Sequence, residues 1–154
     1  VLSIEVEISG FGRVERMAHA LETFARSRSF LLGRLASLIR KQHVRRVLSE
    51  KTSPSGAAWK PLKPSTIKRK GHANILVESG KMAWAWQQTI SGDTVMMCNT
   101  ARSARGRNVL YLPFHQYGTK KMVARPVMGF SAANLTEIAV VVNSFVASRL
   151  GVAA

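Results

Sequence analysis

The chain has 154 residues, with 23 Lys and Arg against 8 Asp and Glu, a single cysteine and an apolar fraction of 46%. That length suffices for one domain that buries roughly 70% of its unfolded surface, and the lone thiol of Cys98 excludes an internal disulfide and reads as a small buried hydrophobe. No apolar run approaches the ~18 residues of a membrane span, and the opening VLSIEVEISG has acids where a secretory signal is basic, so it reads as mature sequence folded in the cytosol.

Taken in chain order, Leu2, Ile4, Val6 and Ile8 alternate with Ser3, Glu5 and Glu7 and predict a strand over 2–8, ended by Gly10 and Gly12. From Val14 to Leu48 the apolar spacing is helical. One stripe holds Val14, Met17, Ala18, Leu21, Phe24 and Ala25, a second holds Leu32, Leu35, Ile39 and Val47, and ARSRS marks a break between two helices. The second helix carries Arg34, Arg40, Lys41 and Arg45 on its far side, a basic face for a partner or for solvent.

Residues 49–72 are punctuated by Pro54, Gly56, Pro61, Pro64 and Gly71 and read as an extended basic loop or arm. Within it STIKRKG predicts a short helix, N-capped by Ser65 or Thr66 and stopped at Gly71. Ser79 or Gly80 starts another, carrying Met82, Trp84 and Trp86. QQTISG and DTVMMCNT predict strands joined by a turn at Gly92-Asp93 that opens the main sheet. An arginine-rich loop, ARSARGRN, leads to the apolar VLYLPFHQYG, then to extended chain around Pro126. Residues 131–150 predict a helix with Ser131 as N-cap and Leu135, Ile138, Ala139, Val142, Phe145 and Val146 as its stripe. The fold class these elements define is α+β. We expect a single domain over 1–154, with long N-terminal helices and a C-terminal helix packed on an antiparallel sheet.

The net charge of +15 is unevenly spread: between Glu22 and Glu78 the only acid is Glu50, and no acid lies between Thr94 and Thr136. This is the footprint of a chain that meets phosphates or an acidic protein surface, set against a merely solvated basic face. No carboxylate pair suggests a glycosidase or a magnesium site. His19, His43, His72 and His115 stand apart from any metal-ligand spacing, and no phosphate-loop, nucleophile-elbow or zinc-protease motif occurs. We expect no catalytic residue, metal or cofactor, and no enzyme activity.

Four blocks then appear in order: Gly56, Trp59, Pro61, Leu62 and Thr66 (G-x-x-W-x-P-L-x-x-x-T); Leu76, Ser79 and Gly80 (L-x-x-S/T-G); His115, Gln116 and Gly118 (H-Q-x-G); and Ala124, Arg125, Pro126 and Gly129 (A-R-P-x-x-G). Over about residues 47–150 the sequence resembles the phage virion morphogenesis family, the tail-completion proteins of tailed phages, particularly Mu-like ones. It departs from that pattern in the insertion-like ARSARGRN and in Met128.

The resemblance implies a structural virion protein of the phage neck, assembled in the host cytoplasm. It would be a tail completion or tail terminator protein forming a ring, as a hexamer, between the tail tube protein and the head-tail connector or stopper, with genomic DNA passing through the lumen. The alternative is a non-enzymatic basic module that binds duplex DNA. Under the ring reading, Trp59, Leu62, Thr66, His115, Gln116 and Arg125 are candidates for subunit or neck interfaces. Docking on its own core is the competing reading for Trp59, and for Arg125 an inter-subunit or backbone-carbonyl contact stands against an exposed phosphate contact. Arg102, Arg105, Arg107, Lys68, Arg69 and Lys70 are candidates for DNA or an acidic partner.

Overall fold

The helical half of the chain is divided where ARSRS predicts it. In the computed structural model, which describes residues 11–102 and 109–150, α1 spans Phe11–Arg26 and α2 spans Arg28–Arg45. At the break, the Ser27 hydroxyl donates to the Thr23 carbonyl at 2.7 Å, a local bond that competes with the helix ladder. The predicted strand 2–8, Arg105 and Arg107 lie outside the described residues.

α2 widens at Arg46–Glu50 into one turn of π-helix, closed by the Lys51 amide on the Arg46 carbonyl at 3.0 Å. Lys51 then takes left-handed backbone angles (φ 56°) and turns the chain into the arm, while its ammonium donates to the Val47 carbonyl. The arm leads to α3 (Pro64–Lys70). Here Pro64 occupies the first turn, where its missing amide costs nothing, so the cap position falls on Lys63 rather than on Ser65 or Thr66.

The predicted start at Gly80 holds for the short α4 (Lys81–Trp84), and Trp86 passes instead into the hairpin. β1 (Trp86–Ser91) and β2 (Thr94–Asn99) pair antiparallel in a register running from Trp86 opposite Asn99 to Ser91 opposite Thr94, joined by Gly92-Asp93. Among the described residues these two strands are the whole sheet. Arg28 grips Asp93 at 2.7 Å and so ties the hairpin turn to the start of α2. Cys98, expected inside, is exposed on β2. After α5 (Leu112–Tyr117) and an extended stretch comes α6 (Ala132–Leu150). Its first turn is capped reciprocally: the Ser131 hydroxyl accepts from the Asn134 amide at 3.2 Å, and the Asn134 side chain accepts from the Ser131 amide at 3.1 Å.

The single α+β domain is as expected, but the partner of its last helix differs. α6 packs chiefly on α2 and α1, and the hairpin packs on α2, so α2 lies at the centre. Two apolar stripes are only partly as expected, with Val47 of the first and Phe145 of the second buried. On α2 the buried positions are Ala36, Gln42 and His43, while Leu32, Leu35 and Ile39 are only half-buried. On α6 the buried face runs from Asn134 to Phe145, and Leu135 points outward at 54% exposure. The core itself gathers Val47, Trp59, Met82, Ala83, Trp86, Ala101, Leu112 and Val127, where the end of α2, the arm, α4 and α5 converge.

Candidate functional site

Among the described residues no strand pairs with the extended chain at 124–129; the Arg125 amide donates to the His115 carbonyl at 2.7 Å, and side chains satisfy much of the rest. The Trp59 indole donates to the Pro126 carbonyl at 3.1 Å. The Gln116 side-chain oxygen accepts from the amides of Val127 (2.9 Å) and Met128 (3.0 Å), and its amide nitrogen donates to the Met128 carbonyl at 3.3 Å. The Arg46 guanidinium donates to the carbonyls of Val127 (2.7 Å) and Gly129 (2.6 Å) and to the Asn134 side chain at 2.5 Å. Arg125 in turn reaches out of the segment and donates to the carbonyls of Lys60 (3.1 and 3.0 Å) and Pro61 (3.3 Å), which fastens the arm.

The motif glycines belong to the same lattice. Gly118 has φ 74°, and a Cβ there would sit 2.8 Å from the Ala124 nitrogen and 2.9 Å from the Met122 carbonyl oxygen. At Gly129 (φ 131°) it would sit 2.8 Å from Pro54 Cγ. Both demand left-side backbone angles and a close approach that other residues resist.

Outside this lattice lies a cleft of about 1250 Å³, walled by the arm and α3 on one side and by Thr119–Val123 on another. Lys60, Lys63, Arg69, Lys70, Lys81, Lys120 and Lys121 line it, and among the described lining residues Glu78 is the only acid, already paired with Arg69 at 3.1 Å. Leu62, Leu76, Tyr111, Met122 and Val123 supply an apolar floor. Leu76 is held at φ 58°, a strained backbone for a bulky side chain.

Burial first, and the neighbouring cations after it, shift the titration of groups at the cleft. Burial, followed by the charges of Arg125 and Lys70, holds His115 below its ordinary value. Burial likewise lowers Lys70, with Arg69 and Arg125 adding to the effect against Glu78. In the core His43 is lowered by burial, against the raising effect of its 2.8 Å bond to the Ile39 carbonyl.

Both histidines bind protons less readily folded than unfolded. As pH falls through the unfolded value of 6.5, the unfolded state takes up protons that the folded state refuses, and stability declines. We expect the urea midpoint to fall between pH 7 and 5, and His115→Gln to flatten part of that slope. An unchanged slope in this variant would show that His115 titrates normally.

The structure brings together at the cleft six candidates drawn from both sets: Leu62, Thr66, Arg69, Lys70, His115 and Arg125. Gln116 belongs to the lattice behind it, and Lys68 is exposed on α3 away from the lining. Arg102 stands elsewhere, exposed and bridged antiparallel to Leu110. Trp59 is 6% exposed and Arg125 8%, so the tryptophan presses on its own core and the arginine takes the backbone-carbonyl contact. Sequence reasoning missed Gln42, Arg46 and Asn134, all essentially buried. The signal for Arg46 was its place beside Val47, four residues after Gln42, on the inward side of α2 rather than with Arg40 and Lys41.

Fold and site together define a small basic α+β domain whose motif side chains brace its own backbone and leave a cationic cleft outside. Residues 10–147 match the phage virion morphogenesis family, and the chain belongs to it. Its role is therefore in the morphogenesis of the phage virion. No curated protein and no solved structure matches the chain.

Proposed function

We propose that this protein completes the phage tail as a structural ring, a hexamer, seated in the neck between the tail tube and the head-side connector, with DNA passing through the lumen. Membership of the family over residues 10–147 carries the reading. In a ring the subunits meet through their surfaces, and the burial of Trp59 moves the search for that surface elsewhere.

The outward side of α6 is the face that suits it best. Ala133, Leu135, Thr136, Ala139, Val140 and Asn143 are exposed and carry no charge, on a chain of net charge +15. Depletion of charge is what marks the centre of a protein interface. Val140, 59% exposed, is the position to test. Val140→Glu is expected to leave the melting temperature of the subunit nearly unchanged and to abolish its incorporation into tails; normal incorporation would remove this face from the interface.

Cryo-electron microscopy of the virion neck tests the whole reading. Density for this chain as a ring between tube and connector is the expected result. Its absence from the virion, together with tight duplex binding whose log affinity falls linearly with log salt, would favour the DNA-binding module instead.

A further inference from the structure

We infer that the basic cleft is a receptor for an acidic, amphipathic polypeptide segment presented by a neighbouring virion protein. The chemistry of the occupant follows from the cleft alone; that its source is a virion protein rests on the neck reading above.

Two properties of the cleft must be met together. Its lining is cationic from separate segments of the chain, Lys60 and Lys63 on the arm and Lys120 and Lys121 after α5, and among the described residues its one lining acid, Glu78, is engaged by Arg69. Carboxylates are needed to relieve that crowding. Its lining also carries apolar side chains, and Leu62 and Met122, half-buried, and Val123, exposed, lie outside the hydrophobic core cluster, so among the described residues part of their surface stays uncovered. A segment that interleaves Asp or Glu with Leu or Phe satisfies both at once.

Duplex DNA satisfies only the first. Its surface offers phosphates on a rigid cylinder and nothing apolar to lower into the floor, and base stacking requires single strands. Size agrees: a cube of 1250 Å³ is about 11 Å on edge, room for one polypeptide segment, since packed sheets stand roughly 10 Å apart and a helix with its side chains is about 10–12 Å across. Burial of Arg125 beneath the arm fixes one wall, through its bonds to the carbonyls of Lys60 and Pro61, so the cleft is shaped before anything enters it.

The test is fluorescence anisotropy on the purified full chain with three probes: a labelled peptide of Asp, Glu, Leu and Phe, the same peptide with Asn and Gln in place of its acids, and a labelled DNA duplex. Binding of the acidic peptide alone, or at least about tenfold tighter than the duplex at physiological salt, is expected. Lys63→Gln with Lys120→Gln and Lys121→Gln should weaken the peptide by about tenfold or more, as the loss of three partly screened ion pairs implies. Leu62→Ser should weaken the peptide and leave the duplex unchanged, with circular dichroism confirming that each variant is folded. Equal or tighter binding of the duplex, or peptide binding indifferent to all four substitutions, overturns the inference. Because the readout is binding by the isolated chain, failure here is separable from failure of the ring in the neck.

Discussion

Arg46→Ala is expected to lower the stability of the domain by about 3–5 kcal/mol, the range seen when one member of a buried charged network is removed. Arg46 is 1% exposed, and burial pushes its guanidinium below its ordinary value, so the charge is tolerated only because three acceptors surround it. Removing it strands the carbonyls of Val127 and Gly129, each at roughly 1–3 kcal/mol if water does not enter, and leaves the Asn134 side-chain oxygen with the Ser131 amide alone. Arg46→Lys should recover only part of the loss, because an ammonium lacks the planar fork that reaches both the 127–129 segment and Asn134. Equilibrium urea unfolding measures both; a loss within the ~0.5 kcal/mol scatter of surface substitutions would show that the arginine is not part of the brace.

Trp59→Ala follows, with an expected loss of about 3–5 kcal/mol. The side chain fills the core among Val47, Trp86 and Val127 and supplies the bond to Pro126. Trp59→Phe separates the two contributions, since it keeps most of the volume and forfeits the bond, at a cost of about 1–3 kcal/mol for a buried carbonyl left unpaired. Combined with Gln116→Ala, which loosens the next two residues of the same segment, the effects should depart from additivity, because both side chains hold one piece of backbone. A Trp59→Ala protein with wild-type stability and a defect confined to ring assembly would return the tryptophan to the interface.

The parts of the fold legible in the sequence were those that local chemistry dictates. Gly92-Asp93 between two β-prone runs gave the hairpin, Ser131 as a cap residue ahead of an apolar stripe gave the start of α6, and ARSRS gave the break after α1. On α6 the stripe held at Ile138, Val142, Phe145 and Val146 and failed at Leu135 and Ala139, because Val140, Val141 and Val142 follow one another and blur the period that sets its direction. The partners of Arg46 were illegible for a different reason: two of its three acceptors are backbone carbonyls, at 127 and 129, which no side chain advertises. The four motif blocks pointed to the right neighbourhood. What they encode at Trp59, Gln116, Gly118 and Arg125 is the scaffold behind the cleft, whereas the basic residues facing out of it, such as Lys63 and Lys121, drew no particular notice as sequence.

The side-chain lattice also fixes when the domain can fold. Apart from the local bonds of Gln116, its bonds join residue 46 to 127, 129 and 134, residue 59 to 126, and residue 60 to 125, each closing a loop of more than sixty residues. Such distant closures are slow and yield nothing until both ends exist. On the ribosome, α2 and the arm must therefore wait, with Arg46 and Trp59 unsheltered, until the chain has been made past Asn134. Stops or truncations before that residue leave no smaller folded unit behind, and the host's chaperones meet the nascent protein during that interval.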